Sequence, residues 1–323
     1  MKPRILITEP GNYSSEAIAM YESFGEVSLL NNIEQMESST ADLKDVEIVV
    51  VRLGIYWSAA LLQQLPRLRC IVTPTTGLTH IDMAAYEAKH ISILSLKNEQ
   101  AYLSSIPSTA EFTWSLLLAL SRNTVTASNH TTQQGQWNRN LFIGHNLQGK
   151  TIGIIGAGRV GKQVARFAQA FGMNVLAYDT AEETIDNAIM QQSVEMLIRQ
   201  SDIISIHIPA EGNTGFISAP LIELSKPNAL WINTSRANVW NEEAIAAAIK
   251  THQIAGIATD VLSTEYLDTA LLKNNPLIKA ANEGFKVIVT PHIAGATKES
   301  MESTEIFMAN KCAAWWKAVQ NAT

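Results

Sequence analysis

The stretch from Lys150 to Asp179 constrains the fold more than any other part of this sequence. An apolar run, Thr151–Ile155, leads directly into Gly156-Ala157-Gly158-Arg159-Val160-Gly161, and a helical pattern and a second apolar run follow. Strand, glycine-rich turn, helix and strand in this order predict the first βαβ unit of a doubly wound parallel sheet. In such a unit the first glycine allows a tight turn, the second a close approach of the backbone to a pyrophosphate, and the third close packing of helix on strand.

The same segment predicts a dinucleotide site. The helix that follows the glycines, with Arg159 and Val160 in its first turn, would direct backbone N–H groups at anionic oxygens. Asp179 lies 23 positions beyond Gly156, where a carboxylate can accept hydrogen bonds from an adenosine ribose and would repel a 2′-phosphate. We therefore expect NAD rather than NADP. The alternative is an ordinary glycine-rich turn of an α/β protein. The strand, the helix and the acidic residue, which such a turn does not require together, favour the dinucleotide site.

The length of 323 residues and the hydrophobic content of 46% favour two domains. Short apolar runs alternate with helical patterns on both sides of residue 100, which is typical of parallel α/β layers. The first series has predicted strands at Lys2–Thr8, Val46–Arg52 and Cys70–Pro74, with helices at Ser14–Phe24 and Ala59–Leu65. The second series continues from Lys150 through strands at Val175–Tyr178, Ile203–Ile208, Leu230–Asn233, Gly256–Ala258 and Lys286–Thr290.

Two further segments lie outside these series. Ser108–Ser121 has helical spacing, and the polar stretch from Asn123 to His145 that follows it is predicted to be an arm or an interface. Met301–Asn321 reads as an amphipathic helix with two tryptophans, so it needs a surface, which we expect the first domain to provide.

Charge and cysteine content exclude several classes of protein. The net charge of -6 comes without a basic run, so a nucleic-acid surface is not expected. Cys70 and Cys312 form no Cys-x-x-Cys pair, which favours a reducing cytoplasm and predicts neither a disulfide framework nor a metal site. The apolar run at the N-terminus is too short for a signal peptide, and no membrane segment is predicted.

Three candidate catalytic residues follow predicted strands of the second series: Arg236, Glu265 and His292. In doubly wound sheets the carboxyl ends of the strands face the ligand. Taken singly, each has a structural alternative: a surface ion-pair partner for Arg236, a solvated loop charge for Glu265, and a hydrogen-bonded core residue for His292.

Together these residues supply what hydride transfer to a 2-oxo acid requires. Arg236 offers a planar two-donor fork that matches a carboxylate. His292 can donate the proton that a new alkoxide needs, and a carboxylate from Glu265 beside it would orient the ring and favour its protonated form. The predicted substrate is a small 2-hydroxy or 2-oxo acid.

Nearly the whole sequence resembles the D-isomer-specific 2-hydroxyacid dehydrogenases. The resemblance rests on GKTIGIIGAGRVGKQVARFAQAFGMNVLAYD, SDIISIHIP, INTSRANV, ATDVLSTE and VTPHIAGATKES. It implies that Arg236 binds substrate, that Glu265 pairs with the acid/base His292, and that Asp260 contacts the nicotinamide end of the cofactor. His207, Pro209 and Thr234 are expected to line the cofactor cleft.

The resemblance also implies an architecture. A Rossmann NAD-binding domain, residues 99–295, is expected to be inserted in a flavodoxin-like substrate domain built from residues 1–98 and 296–323. STAEFTWSLLLALSR and GQWNR are similar to the interdomain helix and the dimerisation arm of the family, which implies a homodimer. The sequence ends soon after its last predicted helix, so we expect no C-terminal regulatory domain.

Within the family, the sequence looks most like the 3-phosphoglycerate dehydrogenases, through Arg52, Arg139 and HIAGATKE. Arg52 and Arg139 are therefore candidate phosphate ligands, with a solvent-exposed strand end and a dimer contact as their alternatives. The segment LRCIVTPTTGLTHIDM resembles the substrate loop and makes Thr76, Gly77 and Leu78 candidate substrate contacts. It lacks an arginine that is usual there, which keeps glyoxylate and hydroxypyruvate open as substrates.

Two other functions share this fold. The C-terminal-binding-protein corepressors are similar in sequence and sense NAD as binding proteins, although Arg236, Glu265 and His292 would then have no evident purpose. Formate and phosphite oxidation also occur in the family. Formate enzymes usually pair the histidine with glutamine, so Glu265 argues against formate, whereas phosphite oxidation would retain a glutamate.

Overall fold

The computed structural model describes residues 2–30, 43–181, 184–265 and 269–321. Two compact units divide the chain: Met1–Leu103 with Thr297–Thr323, and Ser104–Ala296. Each contains one parallel sheet with helices in the connections, which confirms the predicted fold class of two doubly wound α/β domains.

The described strands are β1 Arg4–Thr8, β2 Glu26–Leu30, β3 Ile48–Val50, β4 Cys70–Val72, β5 Ser92–Leu94, β6 Thr151–Ile155, β7 Asn174–Tyr178, β8 Ile189–Met190, β9 Ile203–Ile206, β10 Leu230–Asn233, β11 Gly256–Thr259 and β12 Val287–Val289. The described α-helices are α1 Ser15–Phe24, α2 Ala59–Gln64, α3 Met83–Ala88, α4 Gln100–Leu103, α5 Ser108–Ser121, α6 Thr124–Thr132, α7 Arg159–Ala170, α8 Val194–Gln200, α9 Ala219–Ile222, α10 Glu242–Lys250, α11 Thr269–Leu272, α12 Pro276–Asn282 and α13 Lys298–Asn321.

The first unit has the strand order β2-β1-β3-β4-β5, which is the flavodoxin-like arrangement. Its inner strands β3 and β4 are buried throughout, because helices cover both faces of a parallel sheet. No sequence pattern predicts β2 and β5, which lie at the two edges of this sheet. An edge strand is only partly covered, so it does not carry the continuous apolar run from which the inner strands were predicted.

The C-terminal helix α13 packs on the first unit. The carboxylate of Glu305 is buried and accepts a hydrogen bond of 2.7 Å from the backbone N–H of Ser14, just before α1. Near the other end of α13, Arg69 lies over the ring of Trp316, with its guanidinium carbon 5.3 Å from the ring centroid. The apolar face of the helix thus contacts the domain from which it is distant in sequence.

Residues 99–103 also belong to the first unit, whereas the sequence analysis assigned them to the NAD-binding domain. Tyr102 stacks on Phe307 with ring centroids 4.0 Å apart, and its hydroxyl lies 2.6 Å from that of Ser303. Glu99 forms an ion pair of 2.6 Å with Lys311. Contacts with α13 therefore hold this segment, and they join residues about 200 positions apart.

The second unit has the strand order β12-β11-β10-β9-β6-β7-β8. The chain runs outward from β6 through β7 to β8, and then returns to β9 on the other side of β6. Ligands of such sheets bind outside the carboxyl ends of the strands where the order reverses, which here is the boundary between β6 and β9. Helix α5 forms over the range predicted for it, and the polar stretch after it contains α6 and a 3₁₀ turn at Arg139–Phe142.

Within the described ranges, no helix is both long enough and apolar enough to span a bilayer.

Candidate functional site

Six strands of the second sheet end in register with one another. The register pairs their last residues in a row across the sheet: Val289, Thr259, Asn233, Ile206, Ile155 and Tyr178. Each candidate residue of this unit follows one of these ends, because its strand stops there and a loop begins. The carboxyl edge of one sheet therefore presents His292, then Asp260 and Glu265, then Thr234 and Arg236, then His207, the glycine loop and Asp179.

The glycine loop has no room for side chains at two of its three glycines. A Cβ on Gly161 would lie 2.0 Å from the carbonyl oxygen of Gly156, and one on Gly156 would lie 2.6 Å from the carbonyl oxygen of His207. Gly156 also has a φ of +98°, which favours glycine. Helix and strand thus approach each other at van der Waals distance, as the fingerprint predicts.

Gly158 differs, because a Cβ there would meet nothing within 4 Å. It is the N-cap of α7, and no described side chain caps this helix. An open surface beside uncapped N–H groups at a helix N-terminus suits a pyrophosphate. The loop geometry therefore fits the dinucleotide that the motif implies.

Asp179 is tied to the glycine loop. Its Oδ2 accepts a hydrogen bond of 2.7 Å from the backbone N–H of Ala157, and its Oδ1 accepts one of 2.7 Å from Ala181. The carboxylate is thereby oriented at the end of β7, next to β6. On the other side of the loop, the guanidinium of Arg159 donates to the carbonyl of Ile106 at 3.0 Å, and burial lowers the pKa of Arg159.

The segment after β9 places His207 beside the glycine loop. Its Nε2 lies 2.8 Å from the hydroxyl of Ser205, and burial lowers the pKa of the imidazole to about 3, so the ring is neutral at pH 7. Pro209 is exposed and its carbonyl accepts a hydrogen bond of 3.0 Å from Asn213. After β10, the hydroxyls of Thr234 and Thr113 lie 2.7 Å apart.

His292 and Glu265 form a direct contact, with Nδ1 and Oε2 separated by 2.9 Å. Both side chains are about one-fifth exposed, so the pair is accessible from solvent and yet largely enclosed. His292 has a φ of +54°, in the left-handed region. A backbone that holds a non-glycine residue there costs free energy, which strong local hydrogen bonds must offset.

Asp260 supplies those bonds. Its Oδ1 accepts from the hydroxyl of Thr290 at 2.6 Å and from the backbone N–H of Ile293 at 2.9 Å, while Oδ2 accepts from Ala294 at 2.6 Å. The backbone N–H of His292 also donates to the Asp260 carbonyl at 3.0 Å. Burial raises the pKa of Asp260, and these hydrogen bonds act in the opposite direction. Asp260 thus holds the loop that carries the histidine.

Arg236 lies in the loop after β10, which the buried side chain of Asn233 shapes. Asn233 accepts from the backbone N–H of Ser235 and donates to the Arg236 carbonyl, each at 3.0 Å. The half-buried guanidinium donates to the carbonyl of Ser235 at 2.7 Å. One such bond leaves donors of the five-donor fork with which a carboxylate can pair.

The predicted substrate contacts Arg52, Thr76, Gly77 and Leu78 belong to the first unit. The hydroxyl of Thr75 donates to the carbonyl of Gly77 at 2.8 Å and organises this loop; Thr76 is exposed and Leu78 half-buried. The remaining candidate, Arg139, is exposed and lies in the 3₁₀ turn of the second unit.

Arg52 does not end its strand in solvent, which corrects one of the alternatives from the sequence. Its guanidinium forms an ion pair with the buried carboxylate of Glu305. It also donates to the carbonyls of Gly11 at 2.8 Å and Asn12 at 3.2 Å, and lies over the ring of Tyr13. Because these partners already engage both terminal nitrogens, the arrangement argues against the predicted role of Arg52 as a phosphate ligand.

No sequence pattern singles out the hydrogen-bonded cluster of Glu242, Ser263 and Asn275, in which Glu242 and Asn275 are buried and Ser263 lies two positions before Glu265. Glu242 follows Asn241 in the first turn of α10, where an acidic residue is a common helix start signal. Glu242 differs from an acidic residue that serves only as a helix start signal in its burial, since 4% of the residue is exposed.

Known proteins are similar in sequence to this chain over most of its length. The family model described as D-isomer specific 2-hydroxyacid dehydrogenase, NAD binding domain, matches residues 114–294. The chain is 32% identical to D-3-phosphoglycerate dehydrogenase of Methanocaldococcus jannaschii over 95% of its length, and spans 56% of that relative. It is 31% identical to glyoxylate reductase of Thermococcus litoralis over 98% of its length, and spans 95% of that relative.

A solved structure shows the same fold. D-Lactate dehydrogenase from Aquifex aeolicus, complexed with NAD and lactic acid, superposes with a TM-score of 0.79 and 26% identity, covering 97% of this chain and 96% of that one. The family model covers more than half of the chain and includes the glycine loop, Arg236, Glu265 and His292. The chain therefore belongs to the D-isomer specific 2-hydroxyacid dehydrogenase family.

Proposed function

We propose that this protein is an NAD-dependent dehydrogenase that interconverts a small 2-oxo acid and the corresponding D-2-hydroxy acid. The contact of 2.9 Å between His292 Nδ1 and Glu265 Oε2 carries the proposal. Such a pair, oriented at the carboxyl edge of a dinucleotide-binding sheet, supplies a positioned acid and base beside the cofactor. A protein that only sensed NAD would not require it.

Each residue has a role in the reduction. When bound, NADH supplies the hydride that C2 of the acid receives. Arg236 binds the carboxylate of the substrate through its planar fork and orients the carbonyl. Since Glu265 engages Nδ1, Nε2 of His292 is the nitrogen that donates a proton to the alkoxide oxygen, and it recovers the proton in the reverse reaction.

We further propose an unphosphorylated acid, such as glyoxylate or hydroxypyruvate, as the substrate. A phosphorylated acid needs cations to replace the water around the phosphate. Arg52 is paired with Glu305, and Thr73 to Thr76 provide hydroxyls instead of a cation. The identity to a phosphoglycerate dehydrogenase is nearly equal to that to a glyoxylate reductase, so sequence similarity does not decide between the two.

A panel of 2-oxo acids tests this assignment. Oxidation of NADH at 340 nm is followed with glyoxylate, hydroxypyruvate, pyruvate and phosphohydroxypyruvate, and each assay is repeated with NADPH. We expect the highest kcat/KM with an unphosphorylated acid. NADH should be preferred by about tenfold or more, because the Asp179 carboxylate would repel a 2′-phosphate.

The possible results separate the parts of the proposal. Preference for phosphohydroxypyruvate would contradict the unphosphorylated substrate and return Arg52 and Arg139 as candidate phosphate ligands. Equal use of NADH and NADPH would remove Asp179 as the discriminating residue. Binding of NADH without turnover of any acid would contradict the enzymatic function and favour a cofactor-sensing protein.

We also propose a homodimer formed through residues 123–145. This segment exposes Trp137, Leu141 and Ile143 to 90%, 62% and 76%, and apolar side chains of this size rarely stay uncovered in a monomer. Light scattering should give twice the chain mass of 35.4 kDa, and Trp137→Glu should reduce it to one chain. Ile189→Glu is the matched control, because Ile189 is an apolar residue of the same unit with 66% exposure and should leave the mass unchanged. A single-chain mass for the unaltered protein would contradict the dimer.

A further inference from the structure

We infer that the buried carboxylate of Glu242 is a positioning residue that holds Glu265 against His292, an inference that rests on the proposed function. Among the described residues, the hydrogen bonds to the Glu242 carboxylate come from Ser263 and Asn275 and not from His292. It acts through the loop that connects β11 to Glu265.

Three hydrogen bonds converge on the Glu242 carboxylate. Its Oε1 accepts from the backbone N–H of Ser263 at 2.8 Å, and its Oε2 accepts from the Ser263 hydroxyl at 2.5 Å and the Asn275 amide at 2.7 Å. Hydrogen bonds to a charged acceptor are roughly twice as strong as neutral ones. Ser263 is exposed, so its hydrogen bonds to this carboxylate are the contacts that fix its position in the loop.

The loop is fixed at each position that leads to Glu265. Leu262 is buried, Ser263 is bound by Glu242, and the hydroxyl of Thr264 accepts a hydrogen bond of 3.3 Å from Asn275. The backbone N–H of Glu265 then closes the turn on the Leu262 carbonyl at 3.2 Å. The side chain that meets His292 therefore projects from a turn whose conformation depends on Glu242.

Capping of the helix does not explain the position of Glu242. The N-cap of α10 is Asn241, whose side chain accepts from the backbone N–H of Ala244 at 2.8 Å. A first-turn glutamate that served only the helix dipole would remain on the surface. Glu242 is 4% exposed and Asn275 is 1% exposed. Burying a carboxylate costs free energy unless hydrogen-bond donors surround it, as Ser263 and Asn275 do here.

Glu242→Gln tests the inference, because glutamine has the same shape but replaces one acceptor oxygen by a donor. In either orientation its NH2 group faces a donor, Ser263 N–H or the Asn275 amide. We expect kcat for 2-oxo acid reduction to fall roughly 10- to 100-fold, because a small misplacement of a catalytic group has an effect of this size. KM should change by less than about threefold.

Asp202→Asn is the matched control for stability. Asp202 also receives a backbone N–H, that of Thr151 at 2.9 Å, and pairs with Lys226 at 2.9 Å. It directly precedes β9, at the amino edge of the same sheet, opposite to the candidate site. This variant should lower Tm to a similar extent while kcat stays unchanged.

A second readout does not depend on turnover. In long-range ¹⁵N–¹H spectra of the histidine rings, the resonances missing in His292→Ala identify His292. Glu242→Gln and the milder Ser263→Ala should both shift them away from the pattern of an Nδ1 atom hydrogen-bonded to a carboxylate, and Asp202→Asn should not. Ser263→Ala removes one donor only and keeps the inference testable if Glu242→Gln fails to fold.

Two results have distinct meanings. Unchanged ring resonances in the Glu242 and Ser263 variants would overturn the positioning role, whatever the activity. The other result is that the Glu242 and Ser263 variants show shifted resonances while the folded, unsubstituted protein reduces no 2-oxo acid. That result would support the positioning role and refute the proposed function.

Discussion

His292→Ala is expected to lower turnover of the preferred 2-oxo acid by about 10²- to 10⁴-fold, the usual contribution of a positioned general acid. Binding of NADH, followed by its fluorescence, should remain within about twofold, because the His292 side chain is hydrogen-bonded to Glu265, whereas Asp179 is bonded to Ala157 and Ala181, and groups without shared partners act nearly independently. The comparison of steady-state rates with NADH affinity measures the two effects separately.

The control for this variant is His252→Ala. His252 is an exposed histidine of the same unit with a φ of +58°, close to the +54° of His292, so both substitutions place alanine in the left-handed region. Any loss of stability from that conformation is shared by the two variants, and only the loss of the acid is specific to His292. Equal turnover in the two variants would refute the catalytic assignment.

Alanine at Gly161 and at Gly158 should have opposite consequences. A Cβ on Gly161 would lie 2.0 Å from the Gly156 carbonyl oxygen, and neither backbone segment can move without separating α7 from β6. We expect a loss of about 3 kcal/mol in the free energy of unfolding, the upper end for overpacking. For a domain of this size that corresponds to a decrease of about 6–12 °C in Tm.

Gly158→Ala should leave Tm nearly unchanged, since a Cβ there meets nothing within 4 Å. It should instead weaken NADH binding by about tenfold or more, because the methyl group occupies the surface that the pyrophosphate approaches. Differential scanning fluorimetry and NADH titration of both variants check this pair. A Gly158→Ala protein that binds NADH normally would show that the pyrophosphate lies elsewhere.

The predictions that the structure confirmed rest on local patterns. The glycine loop, its flanking strands and helix α5 are defined by residues close together in the sequence, and the inner strands of both sheets are continuous apolar runs. Parallel strands place the residues that follow them at one edge, so the sequence could predict that Arg236, Glu265 and His292 follow strand ends at the same edge of one sheet.

The features that no sequence pattern indicated depend mainly on contacts between distant residues. Arg52 and Glu305 are 253 positions apart, and no local pattern indicates that they pair. The compact units divide after Leu103, and the contacts of α13 with Tyr102 and Glu99 that hold residues 99–103 in the first unit are likewise not visible in the local sequence. The edge strands β2 and β5 were missed because partial exposure removes the apolar signal.

The sequence by itself therefore determined the fold class, the cofactor-binding motif and the chemical types of the candidate catalytic groups, since backbone periodicity and side-chain chemistry are properties of neighbouring residues. Only the tertiary structure decided which charged side chains are paired within the protein and which have donors or acceptors left for a ligand. Glu242 and Arg52 look like ordinary charged residues in the sequence, and burial against partners from other elements gives each its role. Burial is a property of the packed chain, because it depends on which distant segments cover a side chain.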